Sequence, residues 1–279
     1  MKKTIPVILI CLLLTSLTAA CGSNQEPAKT ISPEEVTYYL REYTDEFGGV
    51  IRRTVYTYDD QWRMTSWVTS MEGSDKDTED TQGNFTYSND NRIMTFTVKG
   101  SDVITEFHYT FDEKGNTIRT EEYENGVQYK ITDNEYDSEN RLISSESTYP
   151  LKEYWLSTSQ RNTYDASGNQ ILEESEILLI DGTGYTTRKE NAYDDQGRIL
   201  QETYYVNSDL QHTYAYTYSG NTMTRTSTTP GEESAGKLVY IYDDHGNQLR
   251  IEAYGAEGEL QYRQVYTYIG TDGSTVSGE

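Results

Sequence analysis

Cysteine is nearly absent from this 279-residue chain: Cys11 and Cys21 are the two, both close to the N-terminus. A disulfide framework or a cysteine-held zinc is thereby excluded from everything beyond residue 21. Phenylalanine, tryptophan and histidine are scarce as well, at 5, 3 and 3 copies. Leucine, isoleucine and valine are thinly spread, so a thick aliphatic core is not available. The one long apolar run, Ile5 to Leu14, is too short to span a bilayer. Basic residues are outnumbered, 23 against 46 acidic, giving a net charge of -23. That balance excludes nucleic-acid backbones and anionic lipid as natural partners.

Catalytic and metal chemistry is also poorly represented. His108, His212 and His245 stand alone, without the pairing that metal ligation needs. Gly-x-Ser-x-Gly elbows and phosphate-cradling glycine loops are missing. The acidic loop Asp75-Lys-Asp-Thr-Glu-Asp80 offers alternate carboxylates to calcium. It places Asp80 where a calcium loop needs glycine and Thr86 where it needs the distal glutamate. It reads as a solvated hairpin loop, and no metal or cofactor is expected.

Tyrosine is what the chain has in quantity, at 26 copies. Many open a recurring segment: Tyr58-Asp-Asp-Gln-Trp-Arg63, Phe111-Asp-Glu-Lys-Gly-Asn116, Tyr136-Asp-Ser-Glu-Asn-Arg141, Tyr164-Asp-Ala-Ser-Gly-Asn169, Tyr193-Asp-Asp-Gln-Gly-Arg198 and Tyr242-Asp-Asp-His-Gly-Asn247. Worn copies begin at Tyr87, Tyr218 and Tyr268. A near-constant period of this size marks an array of one supersecondary unit. An aspartate that bonds its own backbone, followed by glycine or asparagine able to take positive φ, describes a hairpin turn. Asp59, Asp112, Asp137, Asp165, Asp194 and Asp243 are thus turn makers, with Gly115, Gly168, Gly197 and Gly246 as the left-handed residues. A second set of turns lies midway between, for example at Asn125-Gly126 and Asp181-Gly182.

Residues before each turn alternate. Tyr214, Tyr216 and Tyr218 share one face of their segment against Thr213, Ala215 and Thr217, a strand pattern. Residues 36–43 are ambiguous. Ser32-Pro-Glu-Glu35 resembles a helix-opening capping box, but Val36-Thr-Tyr-Tyr-Leu40 is β-prone, and strand is favoured. The fold class expected is all-β: an antiparallel meander of about 18 strands, because consecutive hairpin strands pair with each other. Sheets beyond ~10 strands curl or close, so one long, curved and twisted sheet is expected, open or partly rolled. Its buried material would be ladders of tyrosine rings.

Met1-Lys-Lys3, an apolar run and Leu17-Thr-Ala-Ala-Cys-Gly22 form a secretory signal with a lipobox-like end. Thr18 occupies the usual leucine slot. The expected organisation is a lipoprotein signal peptide at 1–20, a lipidated Cys21 with a flexible tether to 35, the hairpin array at 36–270 and a disordered tail at 271–279.

The Tyr-Asp-x-x-Gly-Asn/Arg motif with a following apolar residue (Leu142, Ile199) resembles the YD repeats of the Rhs proteins, of wall-associated protein A and of the teneurins. The resemblance covers residues 43–270. It implies a spiralling hairpin sheet that encapsulates a cargo or presents a surface in an extracellular setting, and it implies no activity. The chain is short for a full cocoon.

The function expected is that of a non-catalytic surface lipoprotein whose scaffold binds a glycan or an envelope protein. The alternative is a polysaccharide-acting enzyme with two carboxylates in the sheet concavity. Trp62 replaces a turn glycine, which exposes a large ring. Trp62, Trp67, Tyr214 and Tyr216 are therefore the candidate partner-binding residues, whereas Trp155 reads as buried. An 18-stranded membrane barrel is a third reading. It is disfavoured because charges such as Arg53, Glu106, Lys130 and Lys189 interrupt both strand faces.

Overall fold

The computed structural model describes residues 37–47, 50–72, 81–88, 93–99, 102–150, 155–231 and 236–278. The expected leader, Cys21, the tether and the acidic loop at 75–80 lie outside the described residues, as do Tyr154 and the Trp155 side chain.

The described chain is built of strands. They are β1 (Tyr38–Phe47), β2 (Val50–Tyr58), β3 (Met64–Glu72), β4 (Thr81–Ser88), β5 (Ile93–Val98), β6 (Ile104–Phe111), β7 (Thr117–Glu124), β8 (Val127–Tyr136) and β9 (Leu142–Thr148). There follow β10 (Trp155–Tyr164), β11 (Gln170–Leu179), β12 (Gly184–Tyr193), β13 (Ile199–Val206), β14 (Asp209–Ser219), β15 (Thr222–Thr228), β16 (Lys237–Tyr242), β17 (Gln248–Tyr254), β18 (Leu260–Gly270) and the short β19 (Thr275–Ser277). Each pairs antiparallel with the next, as a meander requires. The ambiguous segment that opens the array resolves as β1.

The sheet is not open or rolled: it closes. β1 pairs with β18 at nine positions, from Tyr38 opposite Gly270 to Phe47 opposite Tyr262, with one irregularity at Arg41. The result is an 18-strand antiparallel barrel. The reason is energetic. An open sheet this wide leaves two long strands with unpaired backbone groups, and closure removes both edges. Here the edge strands match in length, and Tyr43 stacks with Tyr56 on one side at 6.4 Å and with Tyr266 across the seam at 6.1 Å. The tail also differs from expectation. The chain turns at Gly273 and adds β19 beside β18, with Gly278 N–H donating to the Tyr266 carbonyl.

For 18 strands at ~4.8 Å spacing and a tilt near 40°, the backbone cylinder is about 35 Å across. The face carrying the anchor tyrosines is the inner, crowded one. Tyr56, Phe85, Phe96 and Phe107 are buried on it. Burial also pushes the phenols of Tyr216, Tyr242 and Tyr262 up to about 12. On the opposite face Tyr254 is raised chiefly by its hydrogen bond to Glu252. That outer face carries Arg53 with Glu42, Arg119 with Asp133, Arg188 with Glu190, and Arg250 and Arg263 around Glu252. Among the described residues these charges interrupt the apolar surface of that face.

Candidate functional site

The inner wall is assembled from the repeat turns upward. In each well-formed turn one aspartate oxygen accepts two backbone N–H bonds and the other accepts a side-chain bond. For Asp165 the donors are Ser167 N, Asn169 N and Asn169 Nδ2, each at 2.9 Å. Asp59 holds Gln61 N, Arg63 N and Arg63 Nε in the same way. Asp112, Asp137, Asp194 and Asp243 repeat the arrangement. These bonds, led by the side-chain donor, hold the carboxyls of Asp59, Asp112 and Asp165 below the usual range. Gly115, Gly168, Gly197 and Gly246 have φ of 88°, 88°, 75° and 84°, conformations that cost a non-glycine residue energy.

The anchor ring then ties each turn to the preceding strand. The hydroxyls of Tyr58, Tyr87, Tyr136, Tyr164, Tyr193, Tyr218 and Tyr268 donate to the carbonyls of Leu40, Met64, Thr117, Leu142, Gln170, Ile199 and Gln248. Where the turn ends in arginine, its guanidinium lies over the next anchor ring: Arg63 over Tyr87, Arg141 over Tyr164 and Arg198 over Tyr218, at 4.7 to 4.9 Å. The position two residues before each anchor decides the character of the wall. In β8, β10 and β12 it is Asn134, Asn162 and Asn191, whose amides donate to the same carbonyls as the tyrosines. In the other six repeats it is aromatic: Tyr56, Phe85, Tyr109, Tyr216, Tyr240 and Tyr266. Since β1 joins β18, those six are contiguous around the closing seam. The interior is thus part aromatic and part amide-lined.

Charges on the inner face are mostly matched across neighbouring strands. Arg52 bonds Asp45 at 2.6 Å, Lys130 bonds Glu122 at 2.7 Å and Lys189 bonds Glu173 at 2.8 Å. Glu202 on β13 differs: among the described residues no cation pairs with it. Its carboxylate raises the phenols of Tyr193, Tyr216 and Tyr240, after burial. Two strands on, Arg225 lies 4.3 Å over the Tyr214 ring and stands opposite Tyr216 in the strand register. His212 and Tyr204 continue the ring series, at 4.6 Å from Tyr214 and 5.0 Å from His212.

The expected site residues therefore separate. Trp62 takes the left-handed turn position at φ 59° and stacks on Tyr39 at 4.8 Å and 11°. Trp67 faces inward and stacks on Phe96 at 6.4 Å, reaching it across Gly83. Both rings have partners within the chain. Tyr214 and Tyr216 come together with Glu202 and Arg225. Those two charges were missed because antiparallel register, not sequence proximity, brings them beside the tyrosines.

No protein family matches the chain, and no curated protein does. Among solved structures, a porin-like protein from Bacteroides vulgatus is similar at 13% identity, over 83% of this chain and 99% of that one, with a TM-score of 0.45. A porin-like protein from Bacteroides uniformis is similar at 13% identity, over 81% and 96%, with a TM-score of 0.44. A TcdB2-TccC3-Cdc42 structure is similar at 13% identity over 81% of this chain, with a TM-score of 0.37. The chain spans 15% of that last protein's length.

Proposed function

We propose that this chain is a short YD-repeat protein, exported and lipid-anchored through Cys21, whose barrel binds a glycan or a protein partner without catalysing a reaction. The observation that carries this reading is the inner wall. It offers tyrosine rings, amide and hydroxyl groups and the Glu202 carboxylate to a space bounded by hydrogen-bonded strands. Aromatic rings with polar edges stabilise contact by stacking while the edges supply orientation. Placing such groups on strands rather than loops keeps them in register when a ligand arrives.

The reading is tested by immobilising the full-length chain and passing over it a glycan array and, separately, detergent-solubilised envelope proteins. Retention of a defined glycan or protein supports it. If neither arm retains anything above a barrel-matched control, the binding reading fails. Metabolic labelling with a fatty acid checks the anchor: label should enter the parent and not Cys21→Ser.

A further inference from the structure

We propose that the Glu202 carboxylate and the Asn191 amide oxygen, which face each other on β13 and β12, form a site for an alkylammonium group. This adds a ligand to the glycan or protein partner proposed above and does not depend on it.

The preceding repeat shows what these two acceptors hold when their donors are present. Asn162 on β10 stands opposite Glu173 on β11, and Glu173 stands opposite Lys189 on β12. Both acceptors are served there. Lys189 Nζ lies 2.8 Å from Glu173 Oε2, and Asn162 Oδ1 accepts from Gln170 Nε2 at 2.8 Å. One repeat on, the acceptors recur and the donors do not. Asn191 stands opposite Glu202, and Glu202 stands opposite Tyr214, where the previous repeat has lysine. Ile199 faces the anchor Tyr193, where Gln170 faces Tyr164.

The loss leaves two marks. Among the described residues Glu202 pairs with no cation, and Asn191 Oδ1 is buried without a hydrogen-bond partner. Asn191 Nδ2 is committed to the Gln170 carbonyl at 2.9 Å, so the oxygen is the atom left over. A buried acceptor without a donor is costly, and a donor that reaches it relieves that cost.

Opposite residues of an antiparallel pair have Cβ atoms about 5 Å apart. One ammonium, with three N–H donors, can serve both. Glu202 is partly exposed and meets the ligand first; Oδ1 joins as the two side chains turn toward the same group. Other ions fit less well. One carboxylate and one amide oxygen fall short of the about six to eight oxygens that calcium takes. An anion meets Glu202 and a net charge of -23.

Calorimetric titration of the full-length chain at low salt tests this. The probes are n-pentylamine and the tripeptide acetyl-Gly-Lys-Gly-amide, which separate a small amine from a lysine side chain as the source. Tetramethylammonium, which has no N–H donor, and calcium are the competing arms. At least one ammonium probe should bind, and Glu202→Gln should weaken it by about tenfold or more, the loss of a charge-assisted bond. Tyr214→Lys supplies the missing ammonium within the chain and should abolish binding. Arg225→Gln removes a like charge and should bind at least as tightly as the parent, and Arg188→Gln on the outer face should bind equally. Thermal melting checks that each variant is folded. The proposal is overturned if neither ammonium probe binds, if tetramethylammonium or calcium binds as tightly, or if Glu202→Gln binds like the parent. A glycan or envelope protein retained equally by the parent and by Glu202→Gln would leave the general binding reading standing whichever way this site is decided.

Discussion

The Tyr164 hydroxyl donates to the Leu142 carbonyl at 2.8 Å while its ring carries the Arg141 guanidinium. Removing only the oxygen separates the two roles. Tyr164→Phe should lose about 1 kcal/mol, the net value of one such bond, and keep the stack; chemical denaturation of parent and variant measures it. Titration extends the argument. In the fold Tyr216, Tyr242 and Tyr262 keep their protons up to about 12, whereas an unfolded tyrosine ionises near about 10. Between those values the native state binds more protons, so stability falls as pH rises through that window. Phenolate absorbance followed with circular dichroism should show ionisation coinciding with unfolding. Phenols that ionise early, with the sheet intact, would contradict a buried ladder. The turn aspartates act in the other direction. Asp59, Asp112 and Asp165 are lowered, so their contribution is present above about pH 4 and is lost as pH falls below it.

At the scale of the hairpin, each of the six well-formed turns is followed by a bulge. Register shifts between Glu135 and Tyr136, Thr163 and Tyr164, and Ala192 and Tyr193, leaving Ile143, Ile171 and Leu200 as extra residues. The bulge adds local twist where it occurs. Trp62 shows the turn rule under tension, since a left-handed non-glycine residue costs about 1–2 kcal/mol. Its stack on Tyr39 offsets that cost. Trp62→Ala keeps the strained backbone and loses the ring, whereas Trp62→Gly loses the ring and relieves the backbone. The alanine variant should therefore melt lower, by about 1 kcal/mol of stability. Gly83 makes a complementary case. A Cβ there would stand 2.4 Å from the Trp67 indole and 2.7 Å from Phe96. Gly83→Ala should cost about 1–3 kcal/mol in thermal unfolding, the penalty of overpacking a filled core.

At the scale of the whole molecule, closure changes which positions are terminal. An open array tolerates damage best in its end repeats. In the ring, the first and last hairpins are neighbours, and Tyr266 packs against Tyr43 at the seam. Burial raises the Tyr266 phenol as it does that of Tyr109 in the body of the sheet. Tyr266→Ala and Tyr109→Ala should therefore destabilise alike, each by about 3 kcal/mol. Equilibrium unfolding of the two variants measures this. A seam variant that unfolds like the parent would show that the seam does not hold the barrel shut.

The local chemistry of this protein was legible in its sequence. A Tyr-Asp segment with glycine or asparagine at a fixed offset bonds within its own turn, so turn type and strand alternation follow from residues within one repeat, whereas β19 in the tail did not. Even the division of the inner wall is written two positions before each anchor, where Asn134, Asn162 and Asn191 replace aromatics. Closure was not legible. It depends on the twist and stagger summed over every strand, to which each hairpin contributes a small, nearly equal amount that no short segment encodes. The same holds for the pairing of distant side chains. Glu202 and Arg225 are unremarkable in sequence and come beside Tyr214 and Tyr216 only because two successive antiparallel registers carry them there.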